Sequence, residues 1–145
     1  MRYLVIDGQG GRMGALLVKK LKEAYPEEEV VAIGTNSLAT AAMLKAGADA
    51  GATGENPVVR NAPEAEVILG PVGILVTDAI LGEVTEHMAV AEGRSRARKV
   101  LLPVAACSVT VAGTAASPLA VLVDEAVREA GRDVLRRETR RTETL

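Results

Sequence analysis

The first 33 residues carry the pattern that most restricts how this chain can fold. Tyr3 to Ile6 is a short apolar run with no polar alternation, the signature of a strand covered on both faces. Asp7, Gly8, Gln9, Gly10 and Gly11 break it. Met13, Leu16, Leu17, Leu21 and Ala24 then recur at helical spacing, with Lys19, Lys20, Lys22 and Glu23 opposite them. Tyr25-Pro26 ends that helix, because a residue before proline is pushed out of the α region. Glu27 to Glu29 makes a solvated turn, and Val30 to Ile33 is a second apolar run. Strand, glycine-rich turn, helix and strand within about 35 residues is the size of a βαβ unit.

Further along, Thr35-Asn36-Ser37 offers capping oxygens for an Ala-rich helix to Lys45, with Gly47 suited to its C′ position. A weak third strand is expected within Ala48 to Gly54, and Asn56-Pro57 can start another short helix. Val67 to Leu69 reads as a strand, halted by Gly70-Pro71. The apolar tract Ile74 to Leu81 fits either a strand or a buried helix. Thr85 can cap a helix over Glu86 to Glu92, and Lys99 to Pro103 reads as a buried strand. Ser108 to Ala112 is expected as an added edge strand, admitted as antiparallel. Ser117-Pro118 starts a helix with Leu119, Leu122, Val123, Ala126, Val127 and Ala130 inward, closed by Gly131.

These elements predict one α/β domain over residues 1–131: a Rossmann-like, open, mostly parallel sheet with helices on both faces. Residues 132–145 change character. They hold five Arg against three acidic residues, and are expected as a frayed helical extension or a disordered tail. A length of 145 residues suits a single domain.

Composition removes several functions. With 2 Tyr and no Phe or Trp, the chain lacks the stacking platforms of single-strand nucleic-acid binders. Lys+Arg 17 against Asp+Glu 19 leaves a net charge of −2, without a basic footprint for nucleic acid. One Cys excludes a disulfide framework and a cysteine-built metal site. No signal peptide and no run of about 18 apolar residues is visible. A cytoplasmic protein with no membrane partner is expected.

The sharpest motif is Gly8-Gln9-Gly10-Gly11-Arg12-Met13-Gly14, placed between a predicted strand and a predicted helix. Glycines there permit a tight turn and let a diphosphate approach the backbone. The helix start beyond them offers unpaired N–H groups and partial positive charge, and Arg12 adds a mobile cation. The spacing is GxxGxxG, with Met13 where GxGxxG would have its last glycine. Asp7 precedes the loop, and its carboxylate repels phosphate unless it accepts loop N–H bonds or holds a cation. The acid expected after the second strand for a ribose hydroxyl is missing; Thr35-Asn36-Ser37 stands there. The turns after the predicted strands, including Gly70, Pro71 and Gly73, are small or glycine-rich. In an open α/β sheet they share one edge, where ligands bind.

Two resemblances follow from these residues. Val5 to Gly14, ending Gly11-Arg12-Met13-Gly14, is similar to the nucleotide loop of dihydrodipicolinate reductases, which contacts the pyrophosphate of NAD(P)H. Those enzymes are nearly twice as long and carry a second domain, so their reaction is not implied. The chain also resembles, nearly end to end, a family of short bacterial proteins of unknown function with an N-terminal IDGQGG signature. That resemblance rests on Ile6 to Gly11, Gly34-Thr35-Asn36, Met43 to Ala48, Gly51 to Asn56, Gly70 to Ile74 and Leu81 to Thr85. Arg12 departs from it, where a third consecutive glycine is expected. It implies the fold and a shared site, and names no reaction.

Three functions follow. The first is binding of NAD(P) or another nucleotide through Gly8, Gln9, Gly10, Gly11, Arg12, Met13 and Gly14, with ribose near Thr35 and Asn36 and Gly70, Pro71 and Gly73 on the same edge. The second is a non-catalytic oligomeric scaffold whose glycines serve packing. The third is a metal-dependent enzyme on a small phosphorylated metabolite, using Asp7 and Glu55. Asp78 and Glu83 are further candidates for a base or a cation ligand. His87 reads first as a solvated helix-surface residue and Cys107 as a small buried thiol. Few side chains are available to cover a nicotinamide or flavin ring, so a site completed in a homodimer is expected.

Overall fold

The computed structural model describes residues 2–104, 108–114 and 117–145. Five strands form one sheet: β1 (Arg2–Asp7), β2 (Glu29–Gly34), β3 (Ala50–Thr53), β4 (Val67–Pro71) and β5 (Arg98–Leu102). Their order is β3-β2-β1-β4-β5 and every pairing is parallel. Val5 at the centre lies opposite Ala32 on one side and Leu69 on the other. Five α-helices connect or follow the strands: α1 (Arg12–Ala24), α2 (Ser37–Lys45), α3 (Glu55–Asn61), α4 (Glu86–Arg94) and α5 (Leu119–Glu143).

The unbroken apolar runs of the inner strands are explained by two cores. Tyr3, Val5, Val30, Ala32, Val67 and Leu69 face Leu17, Leu21, Met43, Val123 and Ala130 of α1, α2 and α5. Leu4, Ile6, Val31, Ile33 and Ile68 face the other way, onto Val58 of α3, Met88 of α4 and Ile74, Ile80 and Val84. Each fully buried Leu, Ile or Val in these layers contributes about 1.5–3 kcal/mol.

Three expectations change. Ser108 to Ala112 forms no strand, and among the described residues the sheet has no antiparallel edge. Val109 and Val111 stay 38 % and 40 % exposed, and Gly113 turns the chain at φ 82°. The segment stays in solvent and turns at Gly113 instead of joining the ladder. The tract Ile74 to Leu81 is neither strand nor α-helix. It is the end of a 3₁₀ turn (Val72–Leu75) followed by tight turns.

Gly131 does not end a helix. α5 runs through it to Glu143, and the small residue makes room for Tyr25, whose ring and hydroxyl occupy the space a Cβ would need. Tyr3 completes this seam by donating its hydroxyl to the Ala130 carbonyl at 3.0 Å. The two tyrosines thus dock α5 onto β1 and α1. Among the described residues no helix is long and apolar enough to cross a membrane.

Candidate functional site

The glycine loop after β1 is closed from within. Gly11 N–H donates to the Gly8 carbonyl at 2.9 Å, and Gly11 takes the left-handed conformation at φ 70°. A Cβ on Gly11 would stand 2.6 Å from Ala39 Cα of α2. The Asp7 carboxylate turns inward: Oδ1 accepts the Gly8 N–H at 2.8 Å and Oδ2 the Gly14 N–H at 2.7 Å. Burial raises the Asp7 pKa from its ordinary value, and the Glu83 charge adds to the rise. The two backbone donors oppose both without cancelling them. The acid in front of the loop is therefore a strap across it. Beyond the strap, Arg12 and Met13 open α1, and N–H groups at the first two helical positions have no intrahelical acceptor.

Strand order reverses between β1 and β4, because β2 lies on one side of β1 and β4 on the other. A cleft of about 230 Å³ opens there, lined by Asp7 to Met13, Pro71, Ile80, Val104 and Leu119. Crevices at such a switch point, outside the carboxyl ends of parallel strands, are where open α/β sheets bind ligands.

At the rim stands a second carboxylate. Glu83 Oε2 accepts the Gln9 N–H at 2.9 Å and the Thr35 hydroxyl at 2.9 Å, and Oε1 accepts the Asn36 amide at 2.8 Å. A side chain on Gly8 would meet Glu83 Oε2 at 2.6 Å and Thr35 Oγ1 at 2.6 Å. Burial alone pushes the Glu83 carboxyl up; the three donors outweigh it and hold the pKa below the usual range. Asn36 also caps α2, its Oδ1 accepting the Ala39 N–H at 2.9 Å. The turn bearing Glu83 is strained. Asp78, Ile80 and Leu81 have φ of 66°, 56° and 54°, costly for non-glycine residues and worst for β-branched Ile80. Buried Ile80 and the anchored Glu83 hold it.

Of the residues expected on this edge, Gly8, Gln9, Gly10, Gly11, Arg12, Met13 and Pro71 line the cleft together. Thr35 and Asn36 meet Glu83 at its rim. Gly14 lies under the loop against Met43 and Asp7, and Gly70 is packed on the Ile6 carbonyl. Gly73 sits in the buried 3₁₀ turn, away from the cleft lining.

Glu55 belongs elsewhere. It lines a groove of about 660 Å³ that also includes Val59 of α3 and Val90 of α4. Its Oε1 accepts the Thr85 hydroxyl at 2.6 Å and lies 3.2 Å from His87 Nδ1. The Thr85 bond, then the His87 ring, hold its pKa low. His87 is 77 % exposed on its side chain, as a helix-surface residue would be. Asp7 and Glu55 thus have separate partners and line separate hollows. Among the described residues no three His, Cys, Asp or Glu gather as a ligand set. Asp78 lines neither hollow, and Cys107 lies outside the described residues. The link from Glu83 to Gln9, Thr35 and Asn36 has no signal in the sequence, since 74, 48 and 47 positions separate the partners.

A parallel α/β domain with a glycine turn at the point where its strand order reverses belongs to the broad class of open-sheet proteins with a crevice at the carboxyl edge. Within that class, the chain belongs to the domain-of-unknown-function family DUF3842, whose model matches residues 2–134. No curated protein and no solved structure matches it.

Proposed function

We propose that the chain is a Rossmann-like nucleotide-binding protein, taking NAD(P) or another nucleotide with its diphosphate against Gly8 to Met13. Strand order 3-2-1-4-5 and the cleft beside the first glycine turn support this reading. The observation that carries it is Gly10. Its φ lies outside the left-handed region, and a Cβ there would meet nothing within 4 Å. Neither conformation nor packing asks for a glycine at that exposed position, whereas close approach of a ligand to the backbone does. Its neighbours Gly8, Gly11 and Gly14 have no room for a side chain.

The cleft is smaller than the roughly 300–1,000 Å³ of whole small-molecule sites. It suits a diphosphate, with a ribose at the Thr35–Asn36 rim and the base covered by a second subunit. The packed glycines favour the second reading, a scaffold without ligand.

Calorimetric titration with NAD⁺, NADH, NADP⁺, NADPH, FMN, ATP and GTP separates the two. The nucleotide reading expects one of them to bind below millimolar. Silence across the panel overturns it in favour of the scaffold.

A further inference from the structure

Resting on that nucleotide reading, we propose that Glu83 is the ribose-recognising acid of this site and restricts it to nucleotides with a free 2′,3′-diol. In open sheets of this order an Asp or Glu after the second strand accepts the ribose 2′-hydroxyl, while a nearby Arg accommodates a 2′-phosphate. This chain has Thr35-Asn36-Ser37 after β2. The fold supplies the missing carboxylate from the turn before α4. Glu83 is brought to the end of β2 by Thr35 and Asn36, and to the glycine loop by the Gln9 N–H.

Charge points the same way. Glu83 forms no ion pair among the described residues. An ionised carboxylate only accepts hydrogen bonds, at about four lone-pair sites. Three donors already hold it, which orients it and leaves acceptor capacity for a hydroxyl. A diol supplies that donor. A 2′-phosphate brings negative charge instead, against a carboxylate that is in no ion pair among the described residues. The strained turn from Asp78 to Leu81 holds Glu83 over Gly8, where a diphosphate on the loop would place its ribose.

The test uses the intact chain and ADP, the half shared by the adenine dinucleotides, beside 2′-deoxy-ADP and 2′-phospho-ADP, titrated calorimetrically. ADP should bind about tenfold more tightly than either analogue, the scale of one hydrogen bond to a charged group. Glu83→Gln should bring 2′-phospho-ADP to within about threefold of ADP while the melting curve shows a folded protein. The comparison of ADP with 2′-deoxy-ADP needs no variant and stands even where Glu83→Gln unfolds. Equal binding of all three, or tighter binding of the 2′-phosphate, overturns the role of Glu83 and leaves the nucleotide reading intact. No binding of any of them, together with silence of the dinucleotide panel, overturns both.

Discussion

Asp7 Oδ2 accepts the Gly14 N–H at 2.7 Å, joining the last residue of β1 to the third residue of α1. A carboxylate that would oppose an anion in the cleft is thereby consumed in holding the loop that would receive it. Asn at this position can accept only through its single oxygen and turns an NH₂ group toward a backbone donor. Asp7→Asn should therefore lose about 1–3 kcal/mol of stability, the cost of a buried donor without a partner. Urea unfolding of the two proteins measures it. An unchanged midpoint would mean that the strap does not hold the loop.

Gly10 and Gly11 are adjacent and should respond in opposite ways. At Gly11 a side chain meets the Ala39 backbone and a left-handed φ, so Gly11→Val should be strongly destabilising by both steric routes. At Gly10 there is open space. Gly10→Val should leave the melting temperature within about 2 °C of the parent, since surface changes of this kind stay within about 0.5 kcal/mol. Nucleotide affinity should nevertheless fall at least about tenfold. A stable Gly10→Val protein with parental affinity would show that nothing approaches the loop there.

Glu92 of α4 is 1 % exposed, its Oε2 has no partner among the described residues, and burial pushes its pKa up to about 8. Below its usual value of 4.5 both folded and unfolded chains carry the proton. Between there and about 8 the unfolded chain releases a proton that the native protein keeps, so stability falls as pH rises. The slope approaches about 1.4 kcal/mol per pH unit. Glu92→Gln, neutral at every pH, should remove that slope and be the more stable protein at pH 8. Denaturant midpoints of both proteins from pH 5 to pH 8 decide it: parallel curves would assign the slope to another group.

Gly131 and Tyr25 test what docks α5. Gly131→Ala gains about 1 kcal/mol of helix propensity, but its methyl group must displace the Tyr25 ring, an overpacking worth about 1–3 kcal/mol. A net loss is expected beside Tyr25 and a net gain in a Tyr25→Leu background, read from thermal unfolding of the four proteins. The same sign in both backgrounds would refute the contact.

Much of this architecture is legible along the chain. Tyr3 to Ile6 and Val30 to Ile33 lack polar alternation because both faces of β1 and β2 are covered. The helical stripe from Met13 to Ala24, the Asn36 and Thr85 caps and the Gly47 C′ position are local chemistry, and local sequence suffices to reveal them. Ile74 to Leu81 misleads because Ile74, Ala79 and Ile80 are buried in a run of turns that local propensity disfavours, while Leu81 at its end stays exposed. Packing of Ile80 overrides the preference of a β-branched residue for extended backbone. Gly131 misleads for a related reason: a glycine after a helical stripe looks like a stop, and only the position of Tyr25 shows that it is a socket.

The sequence by itself determined the parallel α/β plan and the glycine loop between β1 and α1. Hydrophobic period, caps and left-handed glycines depend on neighbours a few residues away. Tertiary structure alone decided where the loose carboxylates go. It sent Glu55 to a groove beside His87 and set Glu83 on Thr35 and Asn36. The Glu55 and Glu83 pairings join residues 32, 48 and 47 positions apart, and those of Glu83 form only once strand order has brought the carboxyl ends of β1 and β2 to one edge.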